Sequence, residues 1–200
     1  MRPPDRITVP TCIGCGAMSQ AGTCERGCSE HKLKLVPAGH YDHLTAVTAD
    51  ARIHAAAFNA VAQQLATHRP RPEEYQDAYR SVQQAARLTL RAYPDHSTEN
   101  EDSDRPAEPA TTWWCAECGA IDAPQPCLGI CIWHRVEWVN AALSEQQWTR
   151  LIAERDTEQR MRLLLRLVAS VTPRDSQWQR GWHALQAHAR QTLDACKHAA

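Results

Sequence analysis

Residues 12–31, CIGCGAMSQAGTCERGCSEH, return 103 positions later as residues 115–134, CAECGAIDAPQPCLGICIWH. Cys12, Cys15, Cys24 and Cys28 thereby become Cys115, Cys118, Cys127 and Cys131, and the spacing C-x2-C-x8-C-x3-C is kept to the residue. The correspondence runs without a gap from residues 12–93 onto 115–196, with 20 of 82 aligned positions identical, among them Gly16-Ala17, His31, Val36, Pro70-Arg71 and Leu90. Eight cysteines placed twice in one pattern mark an internal duplication. Duplication decides the expected fold: mainly α, each copy a small four-cysteine metal module followed by a helical hairpin.

Working outward, residues 1–11 read as an N-terminal tail. Repeat 1 covers residues 12–93, with its cysteine module at 12–31 and its helical hairpin at 44–93. Repeat 2 covers residues 113–200, with a module at 115–134 and a hairpin at 144–198. Between them, residues 94–112 hold one basic and six acidic residues and almost nothing apolar, the composition of an acidic disordered linker. Glycines at 14, 16, 22 and 27 make the first module turn-rich. A connector from Lys32 to His43, with Leu33, Leu35 and Val36, suits a brief strand or extended edge.

From Leu44 to His68, Ile53, Phe58, Val61 and Leu65 fall near helical spacing. His68-Arg-Pro-Arg-Pro72 ends that helix, and Glu73-Glu74 place negative charge in the first turn of the next. Tyr75, Tyr79, Val82, Ala86, Leu90 and Tyr93 then step by three or four along one face. In repeat 2, Arg135 to Leu143 is the connector, and Ser144 with Gln147 has the form of a capping box. Trp148, Leu151, Ile152, Leu163, Leu164, Leu167 and Val168 are apolar positions of the helix that follows. Thr172-Pro173 reads as the next helix start, and Trp178, Trp182, Leu185, Ala189 and Leu193 as its buried face. Four apolar stripes are most economically buried when the two hairpins pack as a four-helix bundle with approximate twofold symmetry.

The cysteine spacing carries the chemistry. A C-x2-C turn followed by glycine, as in Cys12-Ile-Gly-Cys15-Gly and Cys115-Ala-Glu-Cys118-Gly, points two thiolates at one centre. Cysteines four apart, Cys24 with Cys28 and Cys127 with Cys131, place two more on one helical turn. Four thiolates suit tetrahedral Zn²⁺. The arrays resemble the zinc-knuckle and treble-clef or zinc-ribbon class, arranged in tandem. The knuckle half matches that class, while C-x3-C and the short spacer depart from it. The resemblance implies two structural zinc ions per chain and an interaction role. Iron–sulfur clusters are the alternative cofactor, since four thiolates hold them equally well. His31 and His134, three residues past the last cysteine of each array, are expected to donate to a thiolate or a backbone carbonyl. Cys196, whose counterpart is Tyr93, reads as a half-buried structural cysteine.

The remaining features point away from an enzyme. Four thiolates close a zinc site that catalysis would need open, and the chain lacks a phosphate loop, a nucleophile elbow and an H-E-x-x-H helix. A formal charge of −1 makes nucleic acid an improbable partner, and a zinc-dependent nucleic-acid-binding regulator is the third reading, after the zinc adaptor and the iron–sulfur accessory protein. No apolar run reaches the length of a membrane span, and the N-terminus has no secretory pattern, so the expected location is cytoplasmic. All seven tryptophans lie in the second half. Trp113, Trp114, Trp133 and Trp138 crowd its module, where any left exposed would anchor a partner protein.

Overall fold

A computed structural model describes residues 6–12, 17–18, 30–95, 107–115, 121–122, 133–174 and 177–199, of which residues 30–32, 113–115, 122, 133–134 and 198–199 are described by backbone alone. The described chain is mainly helical with one small sheet. It divides into two compact units: one from residues 1–46 and 102–149, the other from residues 47–101 and 150–200. Each unit therefore draws on both halves of the sequence.

The first unit holds five strands: β1 (Arg6–Cys12), β2 (Glu30–Pro37), β3 (Ala110–Cys115), β4 (Ile121–Asp122) and β5 (Trp133–Asn140). Their order is β1-β5-β2-β3-β4, all neighbours antiparallel. β1 lies along β5 from Arg6↔Val139 to Cys12↔Trp133, and β2 lies along β3 from Glu30↔Cys115 to Leu35↔Ala110. The two ribbons join where Leu35, Val36 and Pro37 of β2 meet Asn140, Val139 and Trp138 of β5. The register follows the 103-residue offset: Cys12↔Trp133 maps onto Cys115↔Glu30, and Val36 pairs with its own counterpart, Val139. Thr11↔Met18, an isolated bridge, likewise maps onto Trp114↔Ile121. Alternation sends Val9, Leu33, Leu35 and Trp138 to one buried face with Met18 and Ile121. Val36, Val139, Ala38 and Ala141 form a second cluster.

Four helices follow: α1 (Ala38–Thr67), α2 (Tyr75–Ala92, preceded by a 3₁₀ turn at Pro72–Glu74), α3 (Ala141–Ser170) and α4 (Trp178–Ala199). Within the second unit a single apolar cluster draws on all four. Phe58 and Leu65 of α1, Tyr79 of α2, Met161, Leu165 and Val168 of α3 and Trp182 of α4 are fully buried there. Each such side chain contributes about 1.5–3 kcal/mol by leaving water.

The helix ends are closed by side chains from the other sequence half. A helix leaves its last carbonyls without intrahelical donors. At the end of α1, Gln186 Nε2 donates to Leu65 O (3.0 Å) and His68 O (2.7 Å), while Arg190 donates twice to Ala66 O. At the end of α3, Gln83 Nε2 donates to Ala169 O (3.2 Å) and Val171 O (3.0 Å), and Arg87 donates twice to Ala169 O. Tyr79 Oη adds a bond to Val171 O at 2.9 Å. The two guanidinium groups also meet the negative ends of the helix dipoles. Gln83 and Gln186, Arg87 and Arg190, and Ala66 and Ala169 again stand 103 apart.

Several expectations are corrected. Residues 6–11 are not a tail but most of β1, an edge strand that tolerates Pro10 because one of its sides needs no ladder donor. Residues 110–112, assigned to the linker, open β3. The first connector holds the strand expected there, eight residues long, the second is an eight-residue strand as well, and α1 and α3 start six and three residues earlier than expected. Asn140, whose Oδ1 accepts the Ala142 N–H at 2.9 Å, caps α3. Ser144 sits inside the helix, buried, and among the described residues its hydroxyl has no hydrogen-bond partner. Pro173 lies outside α4, which begins at Trp178; the proline ring packs where a Cβ on Gly181 would lie 2.5 Å from its Cγ. Ile53 is 56% exposed, and Leu163, Ile152 and Leu167 are 55%, 48% and 36% exposed, so those four apolar positions do not build the core. No described helix is long and apolar enough to cross a membrane.

Candidate metal centre

Cys12 ends β1 with its side chain buried. Its N–H donates to Ala17 O at 2.8 Å, and Thr11 bridges Met18. Cys115 ends β3 at the equivalent ladder position, with the Trp114↔Ile121 rung beside it. Cys15, Cys24, Cys28, Cys118, Cys127 and Cys131 lie outside the described residues. Among the described residues, no three histidine, cysteine, aspartate or glutamate side chains form a metal-holding group.

His31 and His134 occupy β2 and β5, opposite Trp114 and Thr11 respectively, each one residue further along the ladder than the rung that carries a cysteine. The backbone thus places both beside the cysteine-bearing strand ends. Trp113, Trp114 and Trp133 share these ends, Trp133 standing opposite Cys12. Trp138 is buried instead: it packs with Val9 and Leu35, and its Nε1–H donates to Thr11 Oγ1 at 3.2 Å. It covers the sheet.

Comparison with protein-family models, curated proteins and solved structures found no match.

In the second unit, Arg162 is buried, held by Glu158 (2.6 Å), Tyr93 O (2.8 Å) and Pro94 O (3.2 Å), with its guanidinium over the Phe58 ring. His54 Nδ1 lies 3.1 Å from the same Glu158 oxygen, and its ring packs on Tyr93. This cluster was missed from sequence because its members have no like-for-like counterparts: 103 positions away, Arg162, Glu158, Tyr93, His54 and Phe58 become Asn59, Ala55, Cys196, Thr157 and Met161. Those five smaller or unbranched groups line a cavity of about 310 Å³, with Arg52, Glu154 and Lys197 among its other walls. The volume is what remains where the bulkier set has no equivalent. Burial pushes the Cys196 thiol above its ordinary pKa, Arg160 pulls it back and Asp156 adds to the rise, so this cysteine is a poor nucleophile near neutral pH.

Proposed function

We propose that the chain is a non-enzymatic metal-binding protein, a duplicated scaffold with two structural four-cysteine zinc sites that serves as an adaptor or accessory subunit for another protein. The observation that carries the reading is the ladder register. It sets Cys12 and Cys115 at equivalent strand ends, with the equivalent rungs Thr11↔Met18 and Trp114↔Ile121 beside them. The same offset recurs in strand pairing, helix bounds and the reciprocal helix caps, which supports duplication and a pseudo-twofold packing of the two hairpins.

Structural zinc bound by four thiolates adds folding energy directly and needs no open coordination position. An adaptor also needs a contact surface. On α3, Leu163 and Leu167, one turn apart, are exposed, a small apolar patch of the kind that suits a protein partner.

The test is metal analysis and absorbance of the chain purified without oxygen. Two zinc per chain with no visible absorbance is the expected result. Iron with acid-labile sulfide and a brown colour would replace the reading with an iron–sulfur accessory protein. Absence of bound metal in the reduced, folded chain would end the metal reading.

A further inference from the structure

The cavity of about 310 Å³ lies within the second unit, with walls from α1, α3 and α4. Its floor is apolar, since Met161 and Leu193 are 2% and 6% exposed. Cys196 stands half-buried in the wall, and Arg52, Glu154 and Lys197 supply its charges. We infer that this cavity binds a small organic anion, a carboxylate carried on a flat apolar body. The site shares no residue with the cysteine arrays and does not depend on the metal reading.

The duplication shows what this place in the scaffold accepts. In the other copy the chain fills it with a flat charged group of its own. The Arg162 guanidinium lies 4.9 Å from the centre of the Phe58 ring, and Glu158 holds it at 2.6 Å. In the cavity Asn59 stands where the other copy has Arg162, and Met161 where it has Phe58. The floor stays apolar, and an unbranched thioether adapts to a ring laid against it. At about 30 Å³ per water the volume equals about ten waters, the bulk of one ring with one carboxylate.

The walls decide the sign of the charge. The counterpart of Glu158 is Ala55, so the carboxylate that balances the buried cation in one copy has no equivalent in the other. The counterpart of Pro94 is Lys197, which adds a cation. Arg52 and Lys197 against Glu154 leave the wall with a net charge of +1. Arg52 answers Glu154 through Nε at 3.0 Å. A guanidinium carries five N–H donors, so that bond leaves others for a ligand. Lys197 pairs with Asp194 at 3.1 Å, and both side chains are about two-thirds exposed, at 68% and 65%. Such a surface pair contributes little and yields to a ligand carboxylate. An apolar floor with a few converging polar groups is the usual construction of a small-molecule site.

Methyl NMR of the full chain with labelled methionine tests this. The chain has three methionines, Met1, Met18 and Met161; Met161 lines the cavity, and Met18 packs under the sheet. Benzoate is the probe, and Met161→Leu assigns the signal. Benzoate should shift the Met161 methyl saturably, with a Kd of about 1 mM or below, and leave Met18 in place. Benzylamine has the same ring with the opposite charge, and acetate has the charge without the ring. Each should bind at least about tenfold more weakly than benzoate. Lys197→Gln should weaken benzoate about tenfold, through loss of a charge-assisted hydrogen bond. Glu154→Gln releases Arg52 and should tighten binding about threefold. Cys196→Tyr, which installs the residue of the other copy, should block the cavity and abolish the shift. The two charge variants alter partly exposed side chains and keep the fold, so they decide the matter even where the tyrosine does not pack. A Met161 methyl that benzoate does not move overturns the inference. So does benzylamine binding as tightly as benzoate, or a benzoate affinity that neither charge variant changes.

Discussion

Replacing Gln186 by methionine keeps the length and apolar bulk of the side chain and removes the amide that closes the end of α1. Two bonds are lost, to Leu65 O at 3.0 Å and His68 O at 2.7 Å. A buried hydrogen bond contributes about 0.5–1.5 kcal/mol net, and a carbonyl left without a donor costs about 1–3 kcal/mol. Arg190 serves Ala66 O and neither of these two carbonyls. Gln186→Met therefore costs about 2–3 kcal/mol. Gln83→Met removes the corresponding amide at α3, yet Tyr79 Oη still donates to Val171 O and Arg87 still donates to Ala169 O. Its expected cost is about 1 kcal/mol. For a chain of this length, 1 kcal/mol moves the melting temperature by about 2–4 °C. The assay is urea unfolding of the metal-loaded protein followed by far-ultraviolet circular dichroism, comparing midpoints at unchanged m. The exposed Gln191→Met serves as a control, expected within about 0.5 kcal/mol of the parent. An equal loss in the two variants, or a larger one for Gln83→Met, refutes the account of the caps.

Other outcomes follow from single sites. Arg162→Ala leaves the partly buried Glu158 carboxylate beside His54 without the guanidinium and removes the donor to Tyr93 O and Pro94 O, so unfolding free energy should fall by about 2–3 kcal/mol in the same titration. Burial raises the Tyr79 pKa above its ordinary value near 10. The neutral phenol is thus favoured in the folded state: its contribution is fully present below pH 10 and lost as pH rises through the folded pKa. Tyr79→Phe should flatten the alkaline decline in stability measured at successive pH values, while losing about 0.5–1.5 kcal/mol at pH 7 with the bond to Val171 O. Gly181→Ala forces a Cβ onto the Pro173 ring and should cost about 1–3 kcal/mol, whereas Gly39→Ala, in helix α1 with open space around it, should gain about 0.4–1 kcal/mol. Thermal melts of the two alanine variants should move in opposite directions.

The helical half of this architecture was legible because its signals are long and repeated. Tyr79, Val82 and Ala86 and their counterparts Trp182, Leu185 and Ala189 kept one buried face through changes of side chain. The break at residues 68–72 was marked by its prolines. Of the strands, β2 was legible from Leu33, Leu35 and Val36, whereas β1, short and carrying Pro10, and β3, starting at the end of an acidic, proline-bearing stretch, were not. Short alternating runs read as tail or linker until their partners are known, and the strands that β1 and β3 lie along are 75 or more residues away. The sequence carries a signal for the helix caps: the polar pair Gln83 and Arg87 recurs as Gln186 and Arg190. Of the candidate site, the cysteine spacing is what the sequence makes legible, and six of the eight cysteines lie outside the described residues.

Strand pairing between the two copies also governs how the chain comes off the ribosome. β1 is made at residues 6–12, but the strand it lies along is made at residues 133–139. At about 5–20 residues per second, on the order of 6–25 seconds pass before the partner exists. Through that interval the nascent first copy carries an unpaired strand edge, and the carbonyls at the end of α1 wait longer still for Gln186 and Arg190. An exposed edge is a template for pairing with any neighbouring chain. Shielding of that edge during synthesis should therefore raise the yield of folded chain.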